Sequence, residues 1–288
     1  MFNELKAHFR RYPLLVSAYR ALHIQDLVDI YDLYFPARGG RSVVTPYGFT
    51  LRVGRSAAHL DMQTGGFESD ETSLIRSCLM QADVFVDVGA NIGFFACLAG
   101  SVGKHIITVE PQLRNLNILY ANIIENGYGK AEVYPMGLSD QPGLATLYGA
   151  SGTSASLIKG WSKQSARFRS TIPLVTLDIL LGERLAGQKL LIKIDVEGAE
   201  YSVLQGAQKT LAMSPRPTWV IEICLNEFHP ATINPNYAST FEMFRKNGYE
   251  VHTADGQNRL VRPADVERWV KAGCCDSGTI NYIFMPIA

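Results

Sequence analysis

From residue 84 onward, short continuously apolar runs alternate with segments whose apolar positions return every three or four residues. "VFVDV" (84–88), "HIITVE" (105–110), "KLLIKIDV" (189–196) and "PTWVIEICL" (217–225) are runs of the first kind. Strands apolar on both faces need cover on both faces, the condition of a parallel sheet between two layers of helix. Helical periodicity predicts helices over 92–101, over "PQLRNLNILYANIIENG" (111–127) with Gly127 as its stop, over "EYSVLQGAQKTLA" (200–212) and near 238–247. Further strands are expected at "AEVYPMGL" (131–138), "LATLYGA" (144–150), "YEVHTA" (249–254) and "TINYIFMPI" (279–287). The last two lack a clear crossover pattern between them, which points to an antiparallel edge.

The chain before residue 84 reads differently. Residues 1–35 mix basic and apolar positions at helical spacing, with Pro13 separating two helices or opening the second. Such a segment suits peripheral membrane contact or packing against a second subunit in a homo-oligomer. Asp26, Asp29 and Asp32 weaken its basic face, so helices covering the main domain are the expectation. "SVVTPYGFTLRV" (42–53) reads as a hairpin around Pro46–Gly48, and 65–80 as a helix capped by Ser69 or Asp70. "SGTSASLIKGWSKQSARFRS" (151–170) is polar and small, hence a loop over the sheet edge.

Charge narrows the partners. Twenty-seven basic and 27 acidic residues cancel, which argues against a nucleic-acid binder. The five cysteines are odd in number and scattered, so a reduced, cytoplasmic setting is expected over a disulfide framework. No apolar run approaches the ~20 residues of a membrane-spanning helix, and no signal-peptide pattern opens the chain.

In an open parallel sheet the ligand lies beyond the carboxyl ends of the strands. Here the first apolar strand ends in Asp87-Val88-Gly89-Ala90-Asn91-Ile92-Gly93, and later ones end at Glu110, Asp195 and Glu222. A carboxylate at the end of a buried strand is costly unless something satisfies it, and four in succession mark a polar crevice. Gly89 and Gly93 allow a tight turn and close approach of backbone to ligand. Glu110 follows Gly89 at about the 20-residue spacing of a carboxylate that grips ribose hydroxyls. The G-A-N-I-G turn is not the dinucleotide fingerprint, and Asp87 beside a pyrophosphate would be repulsive. An adenosyl cofactor with a cationic amino-acid end fits better, favouring S-adenosylmethionine over NAD.

"DVGANIGFFA", "VEPQLRNLNILYANIIENG", "GLSD", "KIDVEGAEYSVLQGA" and "WVIEI" together resemble the successive motifs of FkbM-type methyltransferases. The resemblance runs from about Gly66 to the C-terminal "NYIF". It implies a class I, Rossmann-like α/β fold: a seven-stranded sheet, mostly parallel with an antiparallel last strand, at 63–288 behind an N-terminal helical and hairpin extension at 1–62. It implies S-adenosyl-L-methionine as cofactor and S-adenosyl-L-homocysteine as product. By position, Asp87, Gly89 and Asn91, with Gly93 in the same turn, would lie along the methionine part and Glu110 on the ribose. Ser139 or Asp140 would approach the adenine, and Glu68 matches a glutamate that often precedes the first strand.

Methyl transfer needs positioning and removal of the acceptor's proton. Asp195 is the first candidate base, with Glu197, Glu200 and Glu222 beside it and His229 in "LNEFHPATINP" (225–235) as an alternative. Each has a plainer reading: Glu197 as acceptor of backbone amides, Glu200 as a first-turn helix residue, Glu222 paired with Lys193, His229 at the surface. Carboxylates without histidine suit only weakly held magnesium or calcium, so no metal is expected. Trp161 and Phe168 would line an acceptor pocket or anchor the 151–170 loop. The function expected is O-methylation of a hydroxyl on a sugar, glycolipid or secondary metabolite, a small-molecule or glycan acceptor. The rivals are a nucleotide-sugar or NAD-linked oxidoreductase, lacking its Tyr-x-x-x-Lys pair, and a non-catalytic adenosyl-ligand-binding subunit.

Overall fold

The computed structural model describes residues 42–52, 57–149, 154–164 and 166–287, and the helical reading of 1–35 lies outside these. The hairpin is β1 (Ser42–Val44) and β2 (Thr50–Arg52), followed by α1 (Ala57–Thr64) and α2 (Ser69–Leu79). Then come β3 (Val84–Val88), α3 (Phe94–Ser101), β4 (His105–Val109), α4 (Leu113–Glu125), β5 (Glu132–Tyr134), β6 (Gly137–Leu138) and β7 (Gly143–Tyr148). A single 3₁₀ turn at Trp161–Lys163 precedes β8 (Arg169–Val175) and α5 (Leu177–Leu181). The chain continues through β9 (Leu190–Ile194), α6 (Glu200–Gln205), α7 (Gln208–Ala212), β10 (Thr218–Glu222), α8 (Tyr237–Lys246), β11 (Tyr249–Thr253), α9 (Pro263–Ala272) and β12 (Asn281–Pro286).

The central sheet runs β11-β12-β10-β9-β3-β4-β5. β10, β9, β3, β4 and β5 pair in parallel, while β12 is antiparallel to both β10 and β11. This is the sheet implied by the motifs. The two late strands form the antiparallel end of the sheet expected of them, with β11 outermost and β12 inserted between it and β10. The missed crossover is α9, which carries Pro263 at its first turn and buries Val266 and Trp269 before stopping at Gly273, φ 66°.

The apolar runs divide by alternation. Phe85 and Leu191 belong to one core cluster and Val86 and Ile192 to the other, one on each face of the sheet. All four are 0–1% exposed, so each contributes about 1.5–3 kcal/mol of apolar burial. The hairpin joins the same core through Phe49 and Leu51. Its open edge is paired at a helix end: Asn122 of α4 and Asn126, its C-cap, accept from the Arg52 and Thr50 amides at 2.6 and 2.7 Å.

Two other boundaries moved. Residues 131–138 split into β5 and β6, and β6 joins β8 and β7 in a small second sheet. β8 was not anticipated, because its exposed Arg169, Ser170 and Thr171 continue the polar character of the preceding loop. The predicted 200–212 helix breaks at Gly206, where a Cβ would stand 2.1 Å from the Ser139 carbonyl oxygen. Among the described residues no helix is long and apolar enough to cross a membrane, and all five cysteines are free thiols.

Candidate functional site

A cleft of about 690 Å³, part of it open to solvent, lies at the carboxyl ends of β3, β4 and β9. Gly89, Asn91, Glu110, Asp195 and Glu197 line it, with Met136, Leu138, Leu147 and Ile172 as an apolar wall. Glu110 is 5% exposed, and its two oxygens accept the Asn91 amide at 2.9 Å and the Gln112 amide at 2.8 Å. Burial pushes its pKa up to about 7, and those two amides work against the rise. The Asn115 side chain also hydrogen-bonds this carboxyl, so three donors hold it in place at the end of β4.

Asp87, at the end of β3, is not among the residues lining the cleft; it is 1% exposed, and its Oδ2 has no hydrogen-bond partner. Burial raises its pKa to about 7 against the attraction of Lys193. The Asn91 side-chain oxygen is likewise buried and without a partner. Buried polar atoms without partners are rare, and here two fall within one short segment, from the end of β3 into the turn after it.

A second group surrounds Lys193, which is 3% exposed on β9 and is the register neighbour of Asp87 on β3. Its ammonium lies 2.9 Å from Asp195 Oδ2, 3.7 Å from Glu71 Oε1, and 4.9 Å from the Phe95 ring centre. Burial opposes its charge, yet Asp195, Glu71, Glu68 and Asp87 together hold its pKa well above the usual lysine value. The expected Glu222–Lys193 pair is replaced by these contacts, since Val220, and not Glu222, is the residue beside Lys193 on β10. Burial, then Asp195 and Glu197, raise the Glu222 carboxyl well above the usual range. Glu68 keeps much of its surface open to solvent at the start of α2, while crowding by protein atoms and by Glu71 raises its pKa to about 8. Glu71 had escaped notice. The signal available was its place on α2, where it shares the buried stripe with Ile75 and Leu79, so a carboxylate occupies an otherwise apolar face.

In the turn after β9, Glu200 opens α6 in the first-turn place expected of it and also takes a second part. Glu200, 4% exposed, accepts the Gly198 amide at 2.8 Å and that of Val196 at 3.4 Å, the part assigned to Glu197. Glu197 instead accepts from the Trp161 ring nitrogen, and its own carbonyl takes the Ser156 hydroxyl at 2.6 Å. Trp161 is 1% exposed and seated on Gly198, where a Cβ would meet its ring at 2.5 Å. Of the two readings for Trp161, anchoring is the one realised.

Through that anchor, 154–164 reaches the loop after β10. The Ser162 amide donates to the Phe228 carbonyl at 2.8 Å, and the Trp161 ring lies 6.2 Å from Phe228 and 5.9 Å from His229. His229 Nδ1 accepts the Ala231 amide at 3.1 Å, so the neutral ring carries its proton on Nε2 and its basic nitrogen is already engaged. Ser139 is 8% exposed and donates to Asp140 at 2.9 Å. Neither residue is among those lining the cleft, whose wall there is Met136, Gly137 and Leu138. Asn91, Glu68 and Glu197 hold φ of 51°, 41° and 55°, a conformation side chains avoid and which concentrates at functional sites.

Gly89 and Gly93 take the positive φ of the tight turn expected of them, and they answer a second demand as well. A Cβ at Gly89, φ 87°, would stand 1.8 Å from the Asp195 carbonyl oxygen, and one at Gly93, φ 86°, 2.3 Å from Leu119. They bring neighbouring strand ends and helices together, and the cleft takes its shape from that closeness. Among the described residues no group of three or more His, Cys, Asp or Glu side chains has a metal-holding arrangement.

The Methyltransferase FkbM domain matches residues 87–251, more than half of the chain. No curated protein sequence matches it. Among solved structures, the chain is similar to an O-methyltransferase from Bacillus cereus in complex with SAH, at 10% identity over 75% of this chain and 79% of that one, TM-score 0.41. It is similar to a TehB-like SAM-dependent methyltransferase from Corynebacterium glutamicum at 9% identity over 76% and 88%, TM-score 0.41. Cofactor-bound Rv0187 from MTB gives 12% identity over 81% and 82%, TM-score 0.40.

Proposed function

The chain belongs to the FkbM methyltransferase family, and from that premise we propose that it methylates a hydroxyl of a sugar, glycolipid or other secondary metabolite with S-adenosylmethionine as donor. The observation that carries the reading is Glu110, fixed by two backbone amides in a cleft whose next carboxylate is Asp195. The residues suit the cofactor chemically. Glu110 keeps acceptor capacity for a ribose hydroxyl beside its three donors. Met136 and Leu138 offer an apolar wall for a purine, and the unpartnered oxygens of Asp87 and Asn91 accept from an ammonium. When bound, the cofactor supplies an electrophilic methyl carbon on a sulfonium.

The chain's own task is then to orient an acceptor hydroxyl and take its proton. Asp195 is the proposed base. Lys193 grips Oδ2 at 2.9 Å, which fixes the carboxylate's orientation and leaves Oδ1 for the acceptor. Burial, then Asp195, pushes the Glu222 carboxyl toward its neutral form, and His229, with its basic nitrogen engaged, drops to the weakest of the three candidates.

Thermal shift with S-adenosylmethionine, S-adenosylhomocysteine and NAD tests the cofactor, and transfer of a labelled methyl group to a glycan panel tests the reaction. Stabilisation by NAD alone would favour the oxidoreductase reading. Binding of the adenosyl ligands without transfer to any acceptor would favour the non-catalytic one. Asp195→Asn is expected to keep cofactor affinity and slow transfer by about a hundredfold or more; unchanged turnover would remove it as base.

A further inference from the structure

Two carboxyls of the turn after β9 are held in the same manner. Asp195 and Glu197 both line the cleft. Each is tethered through one oxygen: Lys193 Nζ lies 2.9 Å from Asp195 Oδ2, and the Trp161 ring nitrogen donates to Glu197 Oε2. Both tethers are buried, Lys193 at 3% and Trp161 at 1% exposure, so the two carboxyls are fixed in place. The other oxygen of each, Asp195 Oδ1 and Glu197 Oε1, has no hydrogen-bond partner among the described residues and is not sealed from solvent.

Holding Trp161 accounts for only half of Glu197. A side chain at φ 55° is strained, and glycine would make the same turn freely. The indole occupies Oε2, and Oε1 is left over. Burial and then Asp195 raise the Glu197 pKa to about 8, so at neutral pH the carboxyl keeps its proton. With Oε2 accepting from the indole, that proton sits on Oε1, which is then a hydrogen-bond donor in the cleft. Strand order says which ligand it meets. Glu110 stands at the end of β4, across β3 from β9, whereas Trp161 packs on Phe228 and His229 in the loop after β10, on the other side of β9. Glu197 therefore lies on the acceptor side of Asp195, away from the residue assigned to the ribose.

Resting on the reading of Asp195 as base, we propose that Asp195 and Glu197 together select an acceptor with oxygens on adjacent carbons, Asp195 taking the hydroxyl that is methylated and Glu197 binding its neighbour. The two side chains stand two residues apart on one turn, so a ring that offers one oxygen to Asp195 presents the next to Glu197. An acceptor with an isolated hydroxyl leaves Oε1 unmet in a largely buried place, and that asymmetry is the source of selectivity.

Transfer of a labelled methyl group by the whole chain to a panel of methyl glycosides, each paired with its monodeoxy analogues, tests this once the methylated position has been located by mass spectrometry. Removing the oxygen next to that position is expected to lower kcat/KM by about tenfold, the worth of one hydrogen bond in a partly buried site. In Glu197→Ala the ratio between parent and deoxy acceptor is expected to fall close to one. Glu197→Gln is expected to keep most of it, because an amide can take the indole proton with its oxygen and donate with its nitrogen. A purely structural role for Glu197 would slow both acceptors alike and leave the ratio unchanged. Where Glu197→Ala does not fold, Glu197→Met fills the same space without a polar oxygen and is read in the same way. A wild-type ratio near one, or a wild-type ratio preserved in Glu197→Ala or Glu197→Met, overturns the proposal and leaves the methyl-transfer reading standing. If no panel member is methylated, both fall.

Discussion

Replacing Glu110 by alanine should damage the fold as well as the cofactor site, although the strand-end position by itself suggests a purely ligand-facing residue. In the structure the carboxyl is the hydrogen-bond acceptor of two backbone amides, Asn91 at 2.9 Å and Gln112 at 2.8 Å, in a position only 5% exposed. Alanine leaves both amides without that acceptor. An unmet buried donor costs about 1–3 kcal/mol, and water entering the vacated space recovers part of it, so a net loss of about 3 kcal/mol is expected. For a domain of this size that corresponds to a drop of roughly 6–12 °C in melting temperature. The measurement belongs near pH 6. Glu110, with its pKa raised to about 7, is then largely neutral, and its removal relieves little buried charge. Glu110→Gln keeps one acceptor and turns the other oxygen into a donor against an amide, so its loss should fall between wild type and alanine. Calorimetric melting with and without S-adenosylmethionine separates the two roles. The cofactor should raise the wild-type midpoint and leave that of Glu110→Ala nearly unmoved. An alanine variant melting within about 2 °C of wild type would refute the claim that this carboxyl organises the turn.

Apo-protein stability should fall as pH rises from about 5 to 8. Asp87, Glu110 and Glu200 all have folded-state pKa values raised to about 7, so the folded chain binds more protons than the unfolded one across that window; a melting temperature that climbs with pH would contradict it. Gly206→Ala should cost about 2 kcal/mol or more, because its Cβ would stand 2.1 Å from the Ser139 carbonyl oxygen, whereas Gly129→Ala, with open space around it, should melt near wild type. Trp161→Phe keeps most of the packing on Gly198 but removes the donor to Glu197, and should lower stability by about 1–3 kcal/mol by chemical denaturation. Unaltered stability there would mean the 154–164 segment is held by ring packing alone.

The linear chain by itself determined the layered α/β sheet. Runs such as 84–88 and 189–196 place apolar residues on both faces of the strand, and only a sheet covered on both faces buries such strands. It also disclosed the strand-end carboxylates Asp87, Glu110 and Asp195, because topology requires ligands at those ends. What only the tertiary structure decided concerns pairs far apart in sequence: Glu71 with Lys193, Trp161 with Glu197, the Gly89 turn with the Asp195 carbonyl. Periodicity reports which face of its own element a residue occupies. Which distant element arrives on that face is set by the crossovers, and these leave no local trace. The same limit explains the interior place of β12, fixed by α9 and its pairing with both β10 and β11, and the glycines that serve contact between elements before they serve a ligand.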